Sequence, residues 1–375
     1  MRMFPHAAAV LAVAAALLAQ PNAPPSPAGQ DSRWTIALAG DIMLGRGVKR
    51  QIEQHDRGYP FAQTCSLTVR ADLAIANLES PLTTAPYRTP SPWKFTGDTL
   101  DAARSLALAG FDYVSLANNH MADCGRDGFH HTMRWLDSAG VAHAGRTGCD
   151  TARFDSLRAA DSLGARAYRD SLSCLPAYRT VKGIKVGFLS FCEPYLLAIA
   201  RDYGGELVAR ADSATVARSV MAARDSCDLL VCSFHWGEEY RDHPTNIQRK
   251  LGRLAIDLGA RIVHGHHPHV LQGVEFYRGG LIAYSLGNYV FDQRHERPRQ
   301  SALLAIKMDG TALDSVALLP LEIVANRPQP AGKKGWRAIT ARMRKQCQRL
   351  GTAVEPAGSL LMVKPQAGKK KEPVK

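Results

Sequence analysis

An α/β layered domain, a sheet covered by helices, is what the sequence predicts, and three observations predict it. Short apolar runs alternate with amphipathic stretches along most of the chain. Several of the runs are apolar at nearly every position, as strands buried on both faces are. Two of the amphipathic stretches close on a glycine, the usual punctuation of a helix C-terminus.

In chain order, strands are expected at residues 34–40 (WTIALAG), 71–79 (ADLAIANLE), 112–120 (DYVSLANNH), 185–192 (KVGFLSFC), 228–237 (DLLVCSFHWG), 261–267 (RIVHGHH) and 281–291 (LIAYSLGNYVF). Helices are expected at 126–140, 211–227 and 245–260, where apolar positions recur at helical spacing. Residues 151–180, in which DSL recurs at Asp155, Asp161 and Asp170, read as a peripheral helical insertion. The stretch RPQPAGKKG from Arg327 marks a linker into a basic C-terminal extension over 327–375, helical at first and partly disordered. The folded domain is therefore expected to span residues 31–326.

Residues 1–30 have a different character. Arg2 precedes an apolar stretch over 7–19, which is shorter than the ~20 residues of a bilayer span, and a Pro-rich linker follows. This pattern predicts an export signal. The expectation is an extracytoplasmic protein, periplasmic, cell-surface or secreted, and held at the membrane if the signal is not removed.

The apolar share of 46% and charged share of 22% are those of an ordinary globular protein. The net charge of +13 suits an anionic polymer or membrane surface, but Lys and Arg are spread along the body and read there as a general surface property. The basic tail is the exception, placed to touch anionic wall or membrane material, and no nucleic-acid partner is expected. Among eight cysteines there is no C-x-x-C pair, which excludes a zinc ribbon. Cys192 and Cys232 fall in apolar runs and read as buried, whereas Cys124 and Cys149 flank one helical stretch and are the pair considered for a bridge.

Polar residues gather where the apolar runs end. Asp41 follows the first run, Asn77 and Glu79 close the second, Asn118, Asn119 and His120 the third, and His235 the fifth. The sixth ends in His264, His266, His267 and His269. Taken singly, such residues have structural readings: a helix cap, a turn, a core histidine. Together they point to one cleft, because ligands of open α/β sheets bind outside the carboxyl ends of the strands. Carboxylate and amide oxygens with imidazole nitrogens are donors for a divalent manganese, zinc or iron ion. On an extended segment residues i and i+2 project together, so His267 and His269 are expected to reach one centre, with His266 pointing away and His264 in the core. Gly265 is expected to leave room for the ion. Arg46, Asn77, Trp236, Glu238 and Asn288 flank these positions and are the candidates for substrate binding.

The ordered motifs GDIMLGR, NLESPLT, SLANNHMADCG, FHWGEEY, GHHPHVLQGVE and YSLGNYVFD resemble those of the bacterial capsule synthesis family of CapA type, the poly-gamma-glutamate biosynthesis proteins, from about Trp34 to about Ile323. That resemblance implies a four-layer α/β/β/α sandwich similar to calcineurin-like metallophosphoesterases. It also implies metal ligation by Asp41, Glu79, Asn119, His235, His267 and His269, with His120 protonating a leaving oxygen. Met43 stands where those phosphoesterases carry a His, and Asn77-Leu78-Glu79 replaces their Gly-Asp-x-x-Asp, which implies one ligand fewer for a first metal. Three functions are compatible with this pattern. The first is a metal-dependent hydrolase serving an anionic surface polymer or its membrane-bound synthesis complex. The second is a non-catalytic binding component of polymer export, and the third an extracytoplasmic metallophosphatase.

Overall fold

The computed structural model describes residues 32–97, 100–200 and 203–366. The predicted export signal and the basic tail beyond Gln366 lie outside the described residues. The strands are β1 (Arg33–Ile42), β2 (Leu73–Leu78), β3 (Tyr113–Ser115), β4 (Ala142–Ala144), β5 (Ala177–Val181), β6 (Ile184–Cys192), β7 (Leu229–His235) and β8 (Ile262–His266). They continue with β9 (Val274–Tyr277), β10 (Gly280–Ala283), β11 (Asn288–Val290), β12 (Gln300–Asp309), β13 (Ala312–Val324), β14 (Arg327–Pro330), β15 (Thr352–Ala357) and β16 (Leu360–Pro365). Among the described residues they form a ten-stranded sheet, ordered β15-β16-β13-β12-β1-β2-β3-β4 with β11 on β1 and β14 on β13. A six-stranded sheet is ordered β5-β6-β7-β8-β10-β9.

Alternation along the strands builds the layers. Ile36 and Leu38 of β1 pack with Val186 and Phe188 of β6 and Val231 of β7, so the two sheets lie face to face. Ala37 and Ala39 look the other way, onto Leu106, Phe129 and Leu136 of the helices Leu100–Leu108 and Gly125–Ala139. On the far side Phe191, Cys232 and Phe234 meet Val216, Val220 and Leu251 of the helices Ser213–Arg224 and Asn246–Asp257. The result is the four-layer α/β/β/α sandwich. Strands buried on both faces have no solvent side to mark with polar residues, which is why their sequences are continuously apolar.

The expected helices form, each with an end that the sequence supplies. Gly140 closes Gly125–Ala139 in the left-handed region at φ 73°, Asp212 caps Ser213–Arg224, and Thr245 with Gln248 makes a capping box on Asn246–Asp257. Four expectations are corrected. The run 281–291 is two strands in different sheets, β10 beside β8 and β11 beside β1, so the chain crosses between sheets there. The insertion is helical only at Thr151–Ala160 and Ser162–Ser171, and its end is β5, paired with β6. Residues from 327 are not an appendage: β14, β15 and β16 extend the first sheet, and helix Lys333–Gln348 buries Ile339, Met343 and Cys347 against it. All eight cysteines are free thiols, Cys124 and Cys149 included. No helix among the described residues is long and apolar enough to cross a membrane.

Candidate functional site

Parallel pairing of β1 with β2 and β3, and of β6 with β7 and β8, brings their carboxyl ends to one rim. Asp41 is in register with Asn77 on β2 and with Asn288 on β11, and His235 is in register with His266. The Glu79 N–H donates to the Ile42 carbonyl at 2.8 Å, which fixes the residue after β2 to the end of β1. Close strand approach at this rim requires glycine. A Cβ on Gly40 would fall 1.9 Å from the Gly287 oxygen, and one on Gly265 would fall 2.1 Å from the Tyr284 oxygen. Gly265 is therefore set by backbone crowding, not by room for an ion.

The two sheets meet at Asp41. Its Oδ1 accepts a hydrogen bond from Asn77 Nδ2 at 3.0 Å and lies 3.1 Å from His266 Nδ1. Its Oδ2 lies 3.6 Å from His269 Nδ1. Glu79 Oε1 stands 3.6 Å from His235 Nε2 and 3.7 Å from His269 Nε2. The three separations of 3.6 to 3.7 Å exceed hydrogen-bond lengths, yet they approach the about 3.4 Å edge of a tetrahedron with ~2.1 Å metal–ligand bonds. Ligand atoms of Glu79, His235 and His267 lie within 4.8 Å of one another, as do those of Asp41, Glu79 and His269, and those of Glu239, His267 and His269.

Asp41, Glu79 and His235 have no exposed surface. Both Glu79 oxygens, Nδ1 of His235 and of His267, and both ring nitrogens of His266 are buried without hydrogen-bond partners. Such groups are expensive to bury unpaired, and a divalent cation held by oxygen and imidazole donors would satisfy several of them at once. The residues present fit such an ion. Burial pushes the Asp41 carboxyl up to about 6 against the lowering effect of His269 and of the Asn77 hydrogen bond. Burial, with the charges of Asp41, Glu239 and Asp123 nearby, holds Glu79 well above the carboxylate range. Burial also holds His235 and His267 well below the usual imidazole range and takes His266 down to about 3. These rings are neutral, the form in which imidazole binds a metal.

The histidine turn differs from its expectation in one respect. His267 and His269 do converge on the cleft, but their φ values of 94° and 55° show that the backbone after β8 is not extended. Alternation stops at His266, so that residue does not point away and instead lies against Asp41. His264 is in the core and has no exposed surface.

A second layer of side chains orients this set. Asn119 Oδ1 accepts from His235 Nε2 at 2.8 Å. Asn288 Oδ1 accepts from His269 Nδ1 at 2.8 Å, which leaves the other ring nitrogen facing Glu79. His120 donates from Nδ1 to Asp123 Oδ2 at 2.8 Å, and that buried carboxylate also accepts from Tyr87 and Thr89 hydroxyls. The His120 ring packs on Phe95, ring centres 4.0 Å apart. Asp123, Glu239 and His266 are not among the residues that the sequence marks as ligands or catalysts. Asp123 lies three residues past His120, a spacing that signals a pair only once the turn between them is known.

The residues expected to bind substrate have other partners. Trp236 has no exposed surface, stacks on Phe234 and donates its indole N–H to the Tyr284 carbonyl, so it is a core residue. Asn77 is buried and holds Asp41. Asn288 orients His269. Glu238 is exposed and pairs with Arg241 at 2.7 Å, while its neighbour Glu239 is the one that reaches the histidines. Arg46 is paired with Asp292 and lies 4.7 Å over the Phe95 ring, so its charge is already matched.

The family described as "Bacterial capsule synthesis protein PGA_cap" matches residues 35–157 and 155–293. "Capsule biosynthesis protein CapA" of Bacillus anthracis is 30% identical over 312 residues, covering 80% of this chain and 70% of that protein. "PGA biosynthesis protein CapA" of Bacillus subtilis (strain 168) is 28% identical, covering 83% and 77%. Among solved structures, the 5'-nucleotidase precursor from Thermus thermophilus superposes with a TM-score of 0.44 at 16% identity, over 83% of this chain and 58% of that one. The matched span runs from before Asp41 to beyond Asn288 and so takes in every residue of the rim cluster. With that span and those relatives, the chain belongs to the bacterial capsule synthesis protein PGA_cap family.

Proposed function

We propose that this protein is an exported, metal-dependent hydrolase acting in the production of an anionic surface polymer of the capsule or poly-gamma-glutamate kind. One observation carries the reading: Glu79, fully buried with both oxygens unpartnered, is ringed by His235 and His269 at 3.6 and 3.7 Å. A structural role gives no reason to keep a carboxylate there. Asp41, Glu79, His235, His267 and His269 would hold the ion, with Asn119 at its edge. When bound, a divalent ion supplies Lewis-acid polarisation and a water of lowered pKa. The chain's own residues do the rest. His120, its Nδ1 engaged by Asp123, has Nε2 to give a proton to a leaving oxygen, and Phe95 fixes the plane of its ring. The polymer role rests on the names of the relatives, and export rests on the first thirty residues.

The test is metal analysis after chelator-free purification, combined with hydrolysis assays on phosphoester and amide substrates. Asp41→Ala and His267→Ala are expected to lose the metal, and His120→Ala to keep it while losing turnover. Equal metal content in all three variants and the parent would defeat the assignment. An unchanged surface polymer in a deletion strain would remove the polymer role.

A further inference from the structure

Away from the candidate metal cluster, the helices Thr151–Ala160 and Ser162–Ser171 and the chain around Pro194, Leu197 and Arg210 line a half-open cavity of about 560 Å³. Its wall has two characters. Phe154, Leu163 and Leu197 give it an apolar lining, and Arg166, Arg169 and Arg210 bring guanidinium groups to it. These three charges share one carboxylate. Asp170 lies 3.7 Å from Arg166 Nε, 3.4 Å from Arg169 Nε and 2.9 Å from an Arg210 terminal nitrogen. A second acid among the described residues, Asp212, lies 3.8 Å from Arg210 Nε and is occupied in capping helix Ser213–Arg224 through the Thr215 N–H and hydroxyl. Arg210 Nε is buried and has no hydrogen-bond partner. Burial and the Arg210 charge lower the proton affinity of Arg169, against the raising effect of Asp170.

Positive charge in excess, beside apolar surface, in a cavity of small-molecule size, describes a particular ligand. We propose that this cavity binds a small molecule bearing one oxyanion, a carboxylate or a phosphate, on an apolar body. The planar forks of Arg169 and Arg210 match either head group, and Phe154, Leu163 and Leu197 receive the hydrocarbon. No residue of the cavity belongs to the metal-ligand cluster, so the inference does not depend on the metal. The two regions are joined by one segment of chain. Glu193, immediately before Pro194, accepts the Gly237 N–H and donates its own N–H to the His235 carbonyl.

The experiment is calorimetric titration of the full-length chain with octanoate and with octyl phosphate, against acetate, inorganic phosphate and octanol. Saturable one-site binding of at least one octyl anion is expected, with acetate and inorganic phosphate weaker by about tenfold and octanol silent. Either ranking of the two octyl anions supports the site and names its head group. Arg210→Gln is expected to weaken binding by about tenfold or more, the worth of one charge-assisted hydrogen bond. In case that change disturbs the fold, Arg166→Gln and Leu163→Asp alter side chains that are mostly exposed and are expected to weaken binding without moving the melting temperature. Absence of saturable binding by both octyl anions, equal binding in all variants, or octanol binding as tightly as the anions would overturn the proposal.

Discussion

Glu79 shows most directly how one residue links the sequence to the chemistry. Its carboxyl is held above the range of an unfolded glutamate by burial and by acidic neighbours. As pH rises past the unfolded value, the unfolded chain releases a proton that the folded chain keeps, so the metal-free protein loses stability with rising pH. Glu79→Gln removes that loss. It should raise the stability of chelator-treated protein at pH 8 by about 1 kcal/mol or more, read as a higher unfolding midpoint, and a lower midpoint would contradict the description. Asp41 makes a second prediction. A metal needs it ionised, the buried rings of His235, His266 and His267 are already neutral, and its pKa is about 6. Glu79, whose carboxyl is also raised, must be ionised as well, so metal affinity should fall by about tenfold per unit or more as pH drops below 6, measurable by titration against a competing chelator. Affinity that stays constant down to pH 5 would place the ion elsewhere. Asp41 and Glu79 were legible because a carboxylate after a continuous apolar run has few uses. Trp236 was misread for the opposite reason: an indole beside a ligand-like histidine packs in a core as readily as it faces a cleft.

Elements decide where these side chains go. β8 ends in a turn whose two histidines have positive φ, and this ended the alternation that the sequence had suggested, so His266 arrived beside Asp41. Period-2 reasoning holds only while the backbone stays extended, and nothing in GHHPH announces where extension stops. The same strand is confined by its neighbours. Gly265→Ala would drive a methyl group to 2.1 Å from the Tyr284 oxygen and 2.6 Å from the Trp236 nitrogen. Since neither is a flexible side-chain end, the strand must shift, and a loss of about 3 kcal/mol or more is expected in urea unfolding, together with weakened metal binding through the displaced His267 and His269. Wild-type stability in that variant would show that β8 yields easily. The run 281–291 is instructive for the opposite failure. Eleven nearly continuous apolar positions read as one strand, yet Gly287 at φ 68° breaks it and delivers Asn288 to the other sheet, between Asp41 and His269.

At the level of the whole molecule, the boundary drawn at 326 was the largest misreading. The basic composition of 327–366 suggested a solvated extension, and Pro320 within β13 is a residue type that tends to conceal a long strand. In the fold, Lys and Arg of helix Lys333–Gln348 occupy its outer side, while Ile339, Met343 and Cys347, with Val354, Leu361 and Val363 of β15 and β16, complete the core between the sheets. Full burial of such side chains contributes about 1.5–3 kcal/mol each, which together rivals the roughly 5–15 kcal/mol net stability of a folded domain. A chain truncated after Asn326 is thus expected to be insoluble or unfolded by circular dichroism, and a soluble, cooperatively melting fragment would refute this. The pairing of β1 has a further consequence for biosynthesis. Arg33 to Leu38 bond to Leu304 to Asp309, so the first of these strands must wait for the other to leave the ribosome, roughly 15–50 seconds at ~5–20 residues per second. Nascent chains halted before residue 262 carry Asp41 with its neighbours from β8 and β11 still untranslated, so the buried acidic and imidazole groups of the rim meet only after two thirds of the molecule has been made.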